Sequence, residues 1–120
     1  MNLSIEVRQI QNITILELAG RVDVLENGLR EHARELIEAG HRHFVVNLAN
    51  VSYLDNSGLG QLCWMYTVAR NRGGNVVLLK PTARIKKLLN ITKLDTVFRC
   101  FEHEPEAVES IRSLKRMVSA

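Results

Sequence analysis

Two short, strongly apolar runs, residues 43–48 and 76–79, constrain the fold of this chain most. Each is shorter than an ordinary helix and lacks the polar alternation of a half-buried strand, so both are predicted to be strands covered on both faces of a sheet. Residues 58–72 between them show helical spacing, and Gly73 and Gly74 end that helix. A strand, a helix and a strand in succession predict a parallel pair with a covering helix.

The chain begins with a predicted antiparallel hairpin. Leu3, Ile5 and Val7 alternate with polar residues as in a half-buried strand, and residues 13–18 form a second strand that Gly20 ends. The other predicted elements are a helix with apolar residues 25, 29, 33, 36 and 37 closed by Gly40, a loop over 50–56, a short helix around 85–89, a strand over 97–101 and a final helix opened by Pro105.

These elements predict an α/β fold, with a mixed, mostly parallel sheet of about five strands and helices packed against it. All 120 residues fit one domain, with a core over about residues 3–114. The first strand forms an antiparallel edge, which such mixed sheets tolerate.

Composition excludes several classes of function. A net charge of +3 without a concentrated basic patch, and 5% aromatic residues, argue against nucleic-acid binding. There is no run of about 20 apolar residues and no signal-peptide pattern, so we expect a cytoplasmic protein without a membrane span. Cys63 and Cys100 lack metal-ligand spacing and are expected to be buried, reduced thiols; no metal and no cofactor are expected.

The segment Asp-Asn-Ser-Gly-Leu-Gly at residues 55–60 opens the central helix. Asp, Asn and Ser are favoured at helix N-caps because their oxygens accept backbone N–H groups, typically for about 1 kcal/mol. By this chemistry alone, Ser57 at or next to the cap is a structural residue. Its position beyond the carboxyl end of a strand, where open α/β sheets bind ligands, favours a functional site.

No enzyme motif fits these residues. The phosphate-binding loop requires a Lys after its glycines, which is missing here. The dinucleotide fingerprint requires a third glycine where Cys63 stands, and the nucleophile elbow requires glycines where Asp55 and Leu59 stand. No histidine is marked as a base for a serine nucleophile. The chain is therefore predicted not to be an enzyme.

Three segments in order resemble the anti-sigma factor antagonists of the STAS family (sulphate transporter and anti-sigma factor antagonist domains). Residues 18–23, Leu-Ala-Gly-Arg-Val-Asp, resemble the family's Gly-x-hydrophobic-Asp at a strand end. Residues 47–60 resemble its signature, an apolar strand that leads into Asp-Ser/Thr/Asn-Ser-Gly-Leu-Gly. Residues 88–98 resemble its Leu-x-x-Ser/Thr-Gly-Leu…Phe stretch. The chain departs from the pattern with Asn56 where many members have Ser or Thr, and with Lys93 where many have Gly.

The resemblance implies a regulatory cycle centred on Ser57. The unphosphorylated antagonist binds an anti-sigma factor that is also a serine kinase, and this frees the sigma factor. Phosphorylation of Ser57 by that kinase turns binding off, and a serine phosphatase resets the protein. The resemblance also implies that Asp23 contacts the kinase, whereas its position alone equally suggests an N-cap for the first helix. Asp55 is expected to orient the loop or cap the helix.

At 100° per residue, one face of the central helix carries the residues expected to meet the sheet: Leu59, Leu62, Cys63, Tyr66 and Ala69. A stripe on the opposite side contains Ser57, Gln61, Trp64 and Val68. Trp64 is then either a docking anchor, since Trp is common in interface hot spots, or a side chain packed under a neighbouring helix. Around Ser57, the predicted partner-binding residues are Asp23, Asp55, Asn56, Gly58, Gly60, Gln61, Trp64 and Val68.

Two alternatives remain open. In one, the chain is an accessory or scaffold STAS subunit of a transporter or signalling complex, and Ser57 acts only as a cap. Alternatively, the helix N-terminus at Gly58 and Gly60 binds the phosphate of a nucleotide.

Overall fold

The structure is a computed structural model that describes residues 3–23 and 28–119, with side chains to residue 114. The strands are β1 (Ser4–Ile10), β2 (Ile13–Val22), β3 (His43–Leu54), β4 (Asn75–Leu79) and β5 (Cys100–Phe101). The helices are α1 (Gly28–Glu38), α2 (Asn56–Asn71), α3 (Ala83–Ile91) and α4 (Glu104–Ser119), with a 3₁₀ turn at Leu94–Thr96.

The five strands form one sheet in the order β1-β2-β3-β4-β5. β1 is antiparallel to β2 and joined to it by the two-residue turn Gln11-Asn12, while β2 to β5 are parallel neighbours. The mixed, mostly parallel sheet predicted from the sequence is therefore confirmed. Because parallel strands share a direction, the carboxyl ends of β2, β3 and β4 lie at one edge of the sheet.

Helices cover both faces of the sheet, and each face has its own apolar core. Helices α1, α2 and α3 pack on one face, where Leu29, Leu62 and Ile85 represent the buried residues of the three helices. Helix α4 packs on the other face, where Ala107 and Ile111 lie against β2, β3 and β4. In the described part of the chain no helix is both long enough and apolar enough to span a membrane.

Two predicted strand ends are corrected. β2 does not end at Gly20 but continues to Val22, with irregular register past Glu17, and Gly20 adopts a positive φ of 108° within the strand. β3 continues to Leu54, through most of the predicted loop over 50–56. β2 and β3 stay paired with each other beyond the point where β4 ends, and this pairing accounts for their additional length.

The predicted strand over 97–101 is also corrected. Only Cys100–Phe101 pair with β4, and residues 97–99 form the irregular connection between the 3₁₀ turn Leu94–Thr96 and this strand. Lys93 precedes that turn with a φ of 64°, which is the left-handed conformation. Many members of the family that the chain resembles have glycine at this position, and glycine adopts that conformation most readily. Residue 25 of the predicted first helix lies outside the described residues.

Candidate functional site

The candidate site lies where β2 and β3 end and α2 begins. The two strands are paired up to their last residues, with Arg21 opposite Tyr53 and Val22 opposite Leu54. Asp23 and Asp55 follow these adjacent strand ends directly. The fold therefore brings together two of the three motif segments, although they are more than 30 residues apart in the chain.

Asp55 is the N-cap of α2. Its Oδ1 accepts a hydrogen bond from the Gly58 N–H at 2.9 Å, and its carbonyl oxygen accepts one from the Leu59 N–H at 2.8 Å. Ser57 is not the cap: it is the second residue of the helix, and its side chain is exposed. The structural role proposed for Ser57 from its local chemistry thus belongs to Asp55, and Ser57 is exposed beside it.

Gly58 allows the start of α2 to touch the end of β2. A Cβ atom added to Gly58 would lie 2.0 Å from the carbonyl oxygen of Val22, closer than real Cβ atoms come to any neighbour. Gly60 differs, since a Cβ atom there would meet nothing within 4 Å. Gly58 is therefore required for packing, whereas Gly60 leaves an open, exposed surface one turn from the cap.

Asp23 is buried, with 4% of its surface exposed, and its carboxylate accepts a hydrogen bond from Arg21 Nε at 3.0 Å. The Arg21 guanidinium also lies over the ring of Tyr53, 4.1 Å from its centroid. The buried carboxylate of Asp23 is therefore neutralised by Arg21, whose side chain is 41% exposed. Whether Asp23 caps α1 depends on residues 24–27, which lie outside the described residues.

Gln61 joins three elements and is buried, with 6% exposed. Its Nε2 donates to the carbonyl oxygen of Asp23 at 3.3 Å, and its Oε1 accepts from the backbone N–H of Arg30, in the first turn of α1, at 3.3 Å. The first N–H groups of a helix lack partners within the helix, so this amide satisfies one of them. Gln61, which the sequence placed in the stripe on the side of α2 opposite the sheet, is therefore buried between the end of β2 and α1.

The rest of the predicted stripe faces α1. Trp64 is half-buried, with the Arg30 guanidinium 4.9 Å from its ring centroid, and Val68 is half-buried beside it. Together with Arg34 and Ile37 they line an open groove of about 240 Å³ between the helices. Trp64 is therefore packed under a neighbouring helix, as one of the two hypotheses for it stated, and retains an accessible part.

The face of α2 that meets the sheet is rotated from the predicted one. Its fully buried residues include Leu62, Met65 and Ala69, whereas Cys63 and Tyr66 are only half-buried. The sequence pattern missed Met65 because apolar residues occur on several sides of this helix, so periodicity alone does not determine which side is inside.

The two thiols differ from the expectation of full burial. Cys63 is half-buried and Cys100 is exposed, and both are free. Desolvation raises the pKa of each thiol above its ordinary value. Among the described residues no three His, Cys, Asp or Glu side chains lie close enough to hold a metal ion.

Sequence reasoning missed the roles of Arg21 and Tyr53. The strand ends Arg-Val-Asp at 21–23 and Tyr-Leu-Asp at 53–55 have the same pattern, and aligning their aspartates as neighbours in a parallel sheet gives the observed register. That alignment is the signal that would have placed the guanidinium over the ring.

The family model of the STAS domain matches residues 4–107. The anti-sigma F factor antagonist of Paenibacillus polymyxa is 26% identical over 92% of this chain and 97% of its own length. The anti-sigma-B factor antagonist of Bacillus subtilis (strain 168) is 32% identical over 81% of this chain and 89% of its own length.

Solved structures agree at the level of the fold. The anti-sigma factor antagonist SpoIIAA in its unphosphorylated form superposes with a TM-score of 0.76 at 18% identity, over 92% of this chain and 97% of the other. The phosphorylated form of the Bacillus cell fate determinant SpoIIAA gives a TM-score of 0.72 at 19% identity, over 90% and 99%. By sequence and by fold, this chain belongs to the STAS domain family, in its group of anti-sigma factor antagonists.

Proposed function

We propose that this chain binds an anti-sigma factor that is a serine kinase, and that phosphorylation of Ser57 turns this binding off. The observation that carries the proposal is that three residues at the start of α2 have separate roles. Asp55 provides the cap, and Gly58 provides the packing against Val22. Ser57 is exposed between them and is left for modification.

The position of Ser57 suits a phosphate. Phosphorylation adds roughly −1.5 to −2 charges at pH 7. The backbone N–H of Leu59 donates to the carbonyl oxygen of the capping residue, Asp55. The N–H groups of Asn56 and Ser57 come before it in the helix and therefore lie at the open, positive end of the helix dipole. An anion there is typically favoured by about 0.3–1 kcal/mol. The modified protein is therefore expected to remain folded.

The same charge opposes docking. A phosphate buried in an interface without a cation loses its hydration, which costs several kcal/mol, and each 1.4 kcal/mol is about tenfold in affinity. Arg21, the partly exposed cation of this site, is already paired with Asp23. The phosphate thus acts on the complex and leaves the fold unchanged.

The proposed contact surface consists of exposed or half-exposed residues around Ser57: Asp55, Asn56, Gly60 and the accessible parts of Trp64 and Val68. Asp23, Gly58 and Gln61 are buried, so we assign them a positioning role. Asp23 holds Arg21 over Tyr53, and Gln61 ties the end of β2 to α1. A serine phosphatase acting on phosphorylated Ser57 completes the cycle.

The test uses the full chain and the kinase co-purified with it from its own cells. Ser57→Ala should bind the kinase and stay bound when ATP is added, whereas the wild-type chain should gain one phosphate by intact mass and be released. Ser57→Asp should bind at least about tenfold more weakly. Thr67→Asp adds the same charge at another exposed position of α2 and should bind as the wild type does.

Two results would contradict the proposal. One is Ser57→Asp binding as tightly as Thr67→Asp, which would show that charge at residue 57 does not control docking. The other is an absence of phosphate on Ser57 in protein isolated from its own cells and after incubation with the kinase and ATP, which would favour a scaffold role.

A further inference from the structure

β1 forms one edge of the sheet, and among the described residues no strand pairs with its outer side. Its seven residues contain no proline, and its pairing with β2 is regular from Ser4 opposite Ala19 to Ile10 opposite Ile13. Proteins usually protect edge strands by keeping them short, bulged or interrupted by proline, since a regular edge is a template for another strand. β1 has none of these three protections. Charged side chains also protect edges, but the two in β1, Glu6 and Arg8, have opposite signs.

The hairpin geometry determines which backbone groups of β1 point outward. Because a two-residue loop joins β1 to β2, Ile10 and Ile13 are the hydrogen-bonded pair that closes it. Antiparallel pairs alternate, so the N–H and C=O groups of Glu6 and Arg8 point toward β2 as those of Ile10 do. The backbone groups of Val7, between them, point outward and are available to another strand.

The side chains of β1 are complementary to a second copy of β1. When two such strands pair antiparallel about Val7, Glu6 of each copy is opposite Arg8 of the other. These two positions are non-hydrogen-bonded pairs, in which side chains approach most closely, and opposite charges across such pairs are stabilising. Val7, which is 41% exposed, meets its own counterpart on the other face of the sheet.

The isolated chain leaves Glu6 in an unfavourable position. Its partner across the hairpin is Glu17, and like charges directly opposite one another are destabilising. Arg8 is bound to Glu17 at 3.0 Å and to Glu104 at 2.6 Å, and no described residue forms an ion pair with Glu6. Arg8 of a second copy would place opposite Glu6 a cation that no described residue provides, at the margin of its own contacts with Glu17 and Glu104.

We propose that β1 is a self-association surface, on which a second copy of this chain pairs antiparallel about Val7 to give one continuous sheet of ten strands. The two copies are related by a two-fold axis, so each Glu6–Arg8 contact occurs twice. This inference is independent of the proposed function, because it involves none of the residues around Ser57.

Sedimentation equilibrium of the full chain from about 10 μM to about 1 mM tests the proposal, a range that detects weak dimers. The wild-type chain should form a dimer. Glu6→Arg should weaken it roughly tenfold, because two attractive charge pairs become repulsive. Glu35→Arg is the matched control: it makes the same change of charge at an exposed position of α1 and should dimerise as the wild type does.

Folding and dimerisation are expected to change in opposite directions in Glu6→Arg. The new arginine faces Glu17 within the hairpin, so the monomer should gain stability against urea while the dimer weakens. Val7→Pro removes the outward N–H at the centre of the interface, where an edge strand tolerates proline, and should leave a folded monomer.

The proposal fails if the wild-type chain remains monomeric at about 1 mM, a concentration at which even weak pairing is populated. It also fails if Glu6→Arg dimerises as well as Glu35→Arg, or if Val7→Pro still forms the dimer. Phosphorylation of Ser57 in Glu6→Arg is expected to be normal, so failure here is separate from failure of the proposed switch.

Discussion

Gly58 and Gly60 lie in the first turns of the same helix, and replacing each by alanine should change stability in opposite directions. At Gly58 the distance from the new Cβ to the Val22 carbonyl oxygen must widen from 2.0 Å to at least the 3.0 Å that real Cβ contacts show. The obstacle is backbone at the end of a paired strand, so it cannot rotate away as a side chain can. The start of α2 must instead move away from β2.

The expected magnitude follows from two opposing terms. Overpacking a core typically costs about 1–3 kcal/mol, and a backbone obstacle places this site at the upper end of that range. Alanine is favoured over glycine in a helix by about 1 kcal/mol, which offsets part of the cost. We therefore expect Gly58→Ala to destabilise the protein by about 2 kcal/mol. A Cβ atom at Gly60 would meet no neighbour within 4 Å, so Gly60→Ala should stabilise the protein by about 0.5–1 kcal/mol.

Urea unfolding followed by the fluorescence of Trp64, the only tryptophan, measures both variants. For a small domain with a slope of about 1–3 kcal/mol per molar urea, the midpoints of the two variants should differ by about 1–3 M. Equal midpoints, or a Gly58→Ala midpoint at or above that of the wild type, would refute the argument that Gly58 is required for contact with Val22.

Two further predictions concern the cap and the thiols. Asp55→Ala should lower the free energy of unfolding by about 1 kcal/mol, because it removes the hydrogen bond from the Gly58 N–H. Asp55→Asn should keep most of that stability, because Asn caps helices equally well. Equal losses in urea unfolding would mean that the charge of Asp55 matters and not its hydrogen bond. Partial desolvation raises the pKa of Cys63 and Cys100, so a smaller fraction of each is thiolate at pH 8 in the folded chain. Alkylation by iodoacetamide should therefore be slower than in the urea-unfolded chain, and its rate should still increase at a pH where that of the unfolded chain has levelled off. Cys63→Ser and Cys100→Ser assign the two rates, and equal rates in folded and unfolded protein would contradict the prediction.

Much of the fold was predictable because hydrophobic periodicity reports local structure directly. The apolar runs of β3 and β4 and the alternation in β1 identified strands, and glycines identified several ends of elements. The ends of β2, β3 and β5 were predicted incorrectly for one reason. Strand length depends on how far a neighbouring strand continues, and this is a property of the assembled sheet.

The position of the candidate site was also predictable, while its internal roles were not. The segment 55–60 stands out because its residue types favour a helix start after an apolar strand. Which of Asp55 and Ser57 caps α2 depends on where the helix begins, and a start two residues later would make Ser57 the cap. Three adjacent residues all suited to capping do not determine that choice.

By itself, the sequence determined the order of strands and helices and the position of Ser57 at the start of a helix, since both follow from local pattern and residue type. Only the tertiary structure decided that Gln61 is buried between β2 and α1, that Arg21 lies over Tyr53, and that Gly58 contacts Val22. These contacts join segments about 30 to 40 residues apart. Their geometry arises when the parallel strands come into register, which depends on how distant segments pair and not on the periodicity of either segment.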